Sequence, residues 1–261
     1  MKIAQARNGA PRELHLLAAD DIEGARDALR DCDPARVGIT GGGSPLLADL
    51  IDARALRVTE FGAWARGATT LLRAQGIDTE EPFVVVSVGT GCSAMRVDGK
   101  EVTRLGGTAL GGGTLLGLGA ALLGTRDFAE ILALANHGDR RNVDLLVGDI
   151  AGGDAIELPN QLTAASFAKL ASGRTRESAE AADLASAILG LVGENVGWIC
   201  AGLARVAGVG RIAFGGSTLR NNATVSGLLR GVAMASGLDP VVLEDGEFTG
   251  AIGALELALE A

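Results

Sequence analysis

The sequence predicts an α/β protein built as two lobes with mixed sheets, and three observations carry that expectation. Short apolar, β-branched runs alternate with helical segments along the chain, which favours layered α/β packing over a bundle. Glycine-rich breaks follow strand-like runs in both halves, at Gly41-Gly42-Gly43, Gly89-Thr90-Gly91 and Gly215-Gly216-Ser217, and another, Gly111-Gly112-Gly113, opens a helical segment. The 261 residues, 48% of them hydrophobic, suffice for a large core, whether as one long or two shorter domains.

Residues 2–6 and 13–18 read as two short strands around Asn8-Gly9, residues that accept the positive φ of a hairpin turn. A helix is expected from Asp21 to Arg30. Val37-Gly38-Ile39-Thr40 then reads as a strand entering Gly41-Gly42-Gly43. Ser44-Pro45 supplies a cap and a first-turn proline for a helix through Leu46, Leu47 and Leu50. A short strand near Arg57-Val58-Thr59 leads to a helix from Phe61 to Gln75, with Gly76 as its C-cap and Glu60 just ahead of it.

The run Phe83 to Val88 is a strand, followed by a hairpin of Ala94 to Val97 and Val102 to Leu105 around Asp98-Gly99. Leu115 to Leu123 is apolar almost all round, so it is expected as a buried helix with Gly117 and Gly119 thinning one face. A further helix spans Phe128 to Asn136. Asp144 to Val147 fits strand or helix, since four residues do not settle the period. From Ala181 to Arg205 the positions Leu184, Ile188, Leu191, Val192, Val196, Ile199 and Leu203 recur at helical spacing and give one long core helix. Arg211 to Phe214 forms a strand, Asn222 to Met234 a helix, Val241 to Leu243 a strand and Thr249 to Leu259 a small-residue helix.

Composition narrows the function classes. Gly is 39 residues without a Gly-X-Y period and Pro only 6, so the glycine excess belongs to turns and close-packed helices. A net charge of −9 offers no basic stripe, and 3% aromatics with no Tyr offer no stacking platform, which argues against nucleic acid as a partner. Cys32, Cys92 and Cys200 are widely spaced with no Cys-x-x-Cys pair, so neither a disulfide framework nor a zinc knuckle is expected and a reducing cytoplasm fits best. No leader and no run of 18 uninterrupted apolar residues is present, so no membrane role is expected. What remains is chemistry on a small anionic ligand, because the glycine breaks leave backbone amides where phosphate oxygens could sit.

Nine short blocks in this order resemble the type II pantothenate kinases of the sugar kinase, Hsp70 and actin-like ATPase superfamily. They are Thr40-Gly41-Gly42, Thr59-Glu60-Phe61, Ser87 to Gly91, Arg104 to Thr108, Gly111 to Thr114, His137 to Arg140, Val143-Asp144-Leu145, Gly215-Gly216-Ser217 and Gly250 to Leu255. The resemblance implies two actin-like, ribonuclease H-like lobes, 1–79 and 80–261, ATP and Mg²⁺ as cofactors, pantothenate as acceptor and a homodimer. Glu60 matches the family's catalytic carboxylate, and partial burial beside Phe61 and Trp64 would raise its basicity. By position alone it reads as an acid in the first turn of a helix. Arg104 matches the arginine that offsets charge on the transferring phosphoryl group, although it also reads as a strand-end surface residue.

By the same resemblance Gly89, Thr90, Gly91, Gly111, Gly112 and Gly113 cradle the ATP phosphates, and Gly215, Gly216 and Ser217 lie on the adenosine side. Gly106 and Gly107 leave the backbone beside Arg104 free to approach substrate, and Thr163-Ala164 resembles a segment of the pantothenate pocket that relatives take from the partner subunit. His137, ahead of a Gly-Asp turn, reads as structural, and Glu194 either faces solvent or sits at a subunit contact.

Two departures stand out. Family members begin with a strand ending in Asp-x-Gly-Gly-Thr, which these 261 residues lack. A start assigned too late or a homologue that has lost ATP chemistry would each account for it, and this chain alone is expected to transfer phosphate poorly. Val241 and Val242 stand where relatives place aromatic side chains against pantothenate, so a differently shaped pocket is expected. The alternatives are a non-catalytic homologue binding pantothenate or acyl-coenzyme A, and a related kinase acting on another small hydroxyl substrate.

Overall fold

The computed structural model describes residues 1–6, 12–18, 21–32, 35–43, 55–150, 159–171 and 179–261. The expected Asn8-Gly9 turn and the helix after Ser44-Pro45 lie outside these residues. A five-stranded mixed sheet of order β11-β10-β5-β6-β7 forms the largest layer: β5 (Phe83–Val88), β6 (Cys92–Asp98), β7 (Glu101–Thr108), β10 (Arg211–Gly215) and β11 (Asp239–Val242). Strands β5, β6 and β7 form an antiparallel meander, while β10 runs parallel to both β5 and β11. Phe83, Val84, Val85 and Val86 are all buried instead of alternating, because β5 is covered on both faces. The proline of β11, Pro240, is tolerated because this is an edge strand.

Helix α2 (Glu60–Ala74) packs on one face of this sheet, and α5 (Ala181–Val206) and α6 (Ala223–Ala235) pack on the other. The 26 residues of α5 are apolar and long enough to cross a membrane by length and composition, yet most of its apolar window is buried inside the fold. Leu184, Ile188, Leu189, Val192 and Val196 point into the core, and each such burial stabilises the fold by about 1.5–3 kcal/mol.

On the N-terminal side, α1 (Ile22–Cys32) accompanies two separate two-stranded sheets. In one, β1 (Lys2–Gln5) pairs antiparallel with β2 (Glu13–Leu16); in the other, β3 (Val37–Ile39) pairs parallel with β4 (Ala55–Arg57). The last helix, α7 (Thr249–Glu260), packs against β1, β3 and α2. The chain's final helix therefore folds back onto its first strands, across the expected division at residue 79. The crossing is tight for a stated reason: a Cβ at Gly67 would strike the Thr249 carbonyl, and one at Gly253 would strike the Ala63 carbonyl, so the two backbones touch.

The helix expected over 115–123 is instead α3 (Gly112–Leu118) followed by a π-turn over Gly119–Leu123 that ends at Gly124, whose φ is 76°. Only Leu115 and Gly119 are fully buried along it, and the other apolar positions are half covered. Helix α4 (Phe128–Ala135) follows with Asp127 as its side-chain cap. The open stretch at 144–147 resolves as the two-residue strand β8 (Leu145–Leu146), paired with β9 (Thr163–Ala165).

Candidate active site

The glycine breaks that follow β5, open α3 and follow β10 meet at one atom, the carbonyl oxygen of Gly89. The Gly112 N–H donates to it at 2.8 Å and the Thr218 hydroxyl donates to it at 2.8 Å. The Gly113 N–H donates to the Thr90 carbonyl at 2.9 Å. Two of the three amides in Gly111 to Gly113 are thus spent on bracing the first loop, a different use from the direct phosphate contact expected of them. Within that loop the Gly89 N–H donates to the Gly91 carbonyl at 2.9 Å, while the amides of Thr90 and Gly91 donate to no atom among the described residues. Those two N–H groups are the donors left for an anion.

Gly216 joins the same assembly from β10. Its φ is 119°, a side chain there would strike the Val88 carbonyl, and its N–H donates to the Gly246 carbonyl at 2.9 Å. Only glycine fits this position. Gly215 ends the strand buried, and Ser217 is the exposed first residue of a turn whose Thr218 and Leu219 are buried.

Across from the braced loop stands Glu60, the first residue of α2, which Thr59 caps by accepting the Gly62 N–H at 3.2 Å. Glu60, Phe61 and Trp64 share a cavity of about 350 Å³ with Gly89, Thr90 and Gly91, and Cys92, Met95 and Thr108 line it as well. That volume lies within the usual range for small-molecule sites. Glu60 is exposed, not partly buried as expected, because it occupies the cavity's open side while Trp64 turns inward. A carboxylate and two free amides therefore face one another across a space of ligand size.

Arg104 stands opposite Met95 in the β6–β7 pairing, so it projects from the sheet face that carries cavity-lining Met95. It is exposed and makes no ion pair among the described residues. The register shifts beside it, leaving Leu105 as the bulged residue, a device that re-aims neighbouring side chains. Gly106 and Gly107 lie outside the cavity lining. Gly106 makes room for Leu203, and a side chain at Gly107 would strike the Cys92 carbonyl. Val241 and Val242 sit on edge strand β11 and do not line the cavity either, so the expected influence on its shape has no contact to act through.

Thr163 and Ala164 are not brought to this cavity. They lie in β9, where the Thr163 hydroxyl accepts from Arg140 Nη2 at 2.9 Å and Ala164 is exposed. Arg140 also bonds Glu194, so the α5 carboxylate, expected to face solvent or a subunit contact, is paired within the chain. Asp183 secures the same segment by accepting the Asp139 N–H at 2.8 Å and Asn142 Nδ2 at 3.0 Å. Fully buried Asp144 accepts the Phe167 N–H at 2.9 Å through Oδ1, and its Oδ2 has no partner. Burial is the largest influence on this carboxyl and pushes its pKa up, against the Phe167 bond and the Arg140 charge. His137, as expected, is occupied locally, its Nδ1 lying 2.9 Å from the Ala133 carbonyl.

Sequence reasoning missed Thr218 and the neighbourhood of Cys92. A hydroxyl two residues beyond a glycine pair at a strand end is a usable signal for the first. The second has none, since its partner lies 108 residues away.

Among the described residues no group of three His, Cys, Asp or Glu side chains converges as a metal cage. A Mg²⁺ bound here would keep mostly phosphate and water ligands. The cavity suits an anionic group better than a resident metal, because the Thr90 and Gly91 N–H groups beside it donate to anions and cannot ligate a cation.

The sequence profile of the family described as Fumble matches residues 67–256. Curated relatives include a type II pantothenate kinase of Staphylococcus epidermidis, 34% identical over 91% of this chain and 89% of its own length, and one of Bacillus cereus, 34% identical over 84% and 80%. Solved structures with a similar fold include the activator of the 2-hydroxyisocaproyl-CoA dehydratase from Clostridium difficile with bound ADPNP, at TM-score 0.59 and 16% identity, covering 96% of this chain and 85% of that one. A ROK family glucokinase from Streptomyces griseus in complex with glucose and AMPPNP superimposes at TM-score 0.58 and 14% identity, covering 100% and 96%. The chain belongs to the Fumble, or type II pantothenate kinase, family, and its fold is that of the actin-like ATPases and ROK sugar kinases.

Proposed function

We propose that this member of the family phosphorylates pantothenate with ATP, giving 4′-phosphopantothenate for coenzyme A synthesis. The observation that carries the reading is the cavity that Glu60 shares with Gly89, Thr90 and Gly91. The triphosphate lies against the free amides of Thr90 and Gly91, with Gly111 to Gly113 and Thr218 holding that loop in shape and Gly215, Gly216 and Ser217 toward the nucleoside. The pantothenate hydroxyl faces Glu60, which accepts its proton as the oxygen attacks the γ-phosphorus and ADP departs. Arg104 supplies a cation on the same sheet face to offset charge on the transferring group. Mg²⁺ arrives with the nucleotide, and when bound it neutralises phosphate charge.

A cytoplasmic homodimer is part of the same proposal. Trp198, Val206 and Met234 are 51%, 90% and 63% exposed on α5 and α6, an apolar surface suited to a second copy. In such a dimer Thr163 and Ala164, which stand apart from their own cavity, would serve the partner's.

The test is ADP release by the purified chain with pantothenate, with sugars and with other hydroxy acids in turn. Turnover confined to pantothenate supports the reading. Turnover on a different acceptor would move the substrate assignment, and pantothenate binding by calorimetry with no turnover on any acceptor, even when an N-terminal strand ending in Asp-x-Gly-Gly-Thr is added, would make the protein a binding homologue.

A further inference from the structure

The two cysteines whose side chains the structure describes are neighbours in space. Cys92 opens β6 immediately after the Gly89-Thr90-Gly91 loop, Cys200 lies within α5, and their sulfurs are 3.6 Å apart as free thiols. The surroundings of the two are unequal. Cys200 is fully enclosed, whereas Cys92 lines the cavity and keeps 7% of its surface accessible. A small oxidant entering the cavity therefore meets one sulfur of the pair, and the other lies directly behind it.

We propose that Cys92 and Cys200 form a reversible disulfide when a hydroperoxide enters the cavity, tying the phosphate loop to helix α5. The Cys92 thiol gives up its proton, its sulfur attacks the terminal peroxide oxygen and the O–O bond breaks; Cys92 becomes a sulfenic acid, and the leaving oxygen takes up that proton and departs as an alcohol, or as water from hydrogen peroxide. Cys200 sulfur then attacks Cys92 sulfur; the S–O bond breaks, and the Cys200 proton leaves with the hydroxyl as water. Two thiols are thereby oxidised by two electrons and one peroxide is reduced. The local chemistry divides these roles in the same direction. The bond from Cys200, with help from Thr108 and Arg104, lowers the Cys92 pKa, while the shared bond and burial push that of Cys200 up.

A disulfide needs its sulfurs about 1.5 Å closer than they stand. Helix α5 has little room to yield, because Val196, Ala201 and Ala204 around Cys200 are fully buried. Cys92 lies at the end of its strand pairing with Val88, where β6 meets the loop. Closure therefore pulls Gly91 and Cys92 toward α5 and away from the cavity. Resting on the kinase reading above, this predicts a loss of ATP affinity that a dithiol restores. In a reducing compartment such a bond is transient and regulatory.

The experiment treats the full chain with hydrogen peroxide, alkylates the remaining thiols and maps the peptides by mass spectrometry without reduction. A Cys92–Cys200 linked pair is expected, with Cys32 alkylated; dithiothreitol removes the link and saturating ATP slows its formation. Cys200→Ala, or Cys200→Ser should the first variant fold poorly, yields no linked pair and lets Cys92 proceed to sulfinic acid. Recovery of Cys92 and Cys200 as separate alkylated thiols after peroxide, or of links through Cys32 only, overturns the proposal. The kinetic arm expects a several-fold, dithiothreitol-reversible rise in the KM for ATP that Cys200→Ala abolishes. Because the mass readout needs no turnover, failure of the kinase reading leaves the disulfide itself still decided.

Discussion

The two walls of the cavity are built in opposite ways. The wall carrying Gly89 to Gly91 rises from a five-stranded sheet whose central strand is enclosed except at Ser87, and two backbone amides and a hydroxyl brace its loop. The wall carrying Glu60 is the exposed first turn of α2, beyond which, among the described residues, lie two-stranded sheets resting on α7. Short sheets add little independent stability, whereas enclosed strands open last. On the proposed reading the difference is a division of labour: the donor's phosphates meet a prearranged loop, and the acid offered to the acceptor stands on the cavity's open side, on a helix whose inner face joins the same core.

The sharpest way to break this comparison is to remove the acid. Glu60→Gln should lower kcat by roughly 10²- to 10⁴-fold, with ATP affinity in equilibrium binding nearly unchanged. A variant that loses nucleotide binding to the same degree would mean that the two walls do not divide the work.

Next in size is Gly216→Ala on the braced wall. Its side chain would strike the Val88 carbonyl at a φ of 119°, so a loss of about 2–3 kcal/mol and a Tm lower by roughly 5–10 °C are expected by thermal denaturation. An unchanged Tm would show that this loop is not held as described.

Smaller still is Thr218→Val, which removes one of the two donors to the Gly89 carbonyl. A loss near 1 kcal/mol should appear as a roughly five-fold rise in the KM for ATP, while the KM for pantothenate stays put. A shift confined to pantothenate would assign the loop to the wrong substrate.

The smallest effect tests a site away from both walls. Burial raises the Asp144 pKa in the folded state, so its protonated form is favoured there. The stability it contributes is complete below the unfolded value near 4 and is lost as pH rises through the higher folded value. Asp144→Asn, which keeps an oxygen for the Phe167 N–H, should flatten the decline of Tm with pH above about 4. An unaltered slope would remove Asp144 as its source.

The braced wall was legible in the sequence because glycine at a strand end has few physical uses, and Gly111 and Gly216 are each forced by close backbone approach or an unusual φ. The periodicity of α5 likewise announced the burial of Leu184, Ile188, Val192 and Val196, but it placed Ile199, which is exposed, on the buried face. What was not legible depends on contacts across long sequence separations. The return of α7 to β1 and β3, the pairing of Glu194 with Arg140 and the approach of Cys200 to Cys92 arise from packing, and local spacing carries no trace of them. The exposure of Glu60 was misjudged for a related reason: Phe61 and Trp64 are its sequence neighbours, but a helix turns Trp64 to the core and Glu60 to the cavity.

A structure of the protein with a non-hydrolysable ATP analogue and pantothenate tests the central claim most directly. The account predicts the terminal phosphates on the amides of Thr90 and Gly91, and the acceptor hydroxyl within about 3 Å of the Glu60 carboxylate. Phosphates bound away from that loop, or a hydroxyl held by another residue with Glu60 still facing solvent, would contradict it.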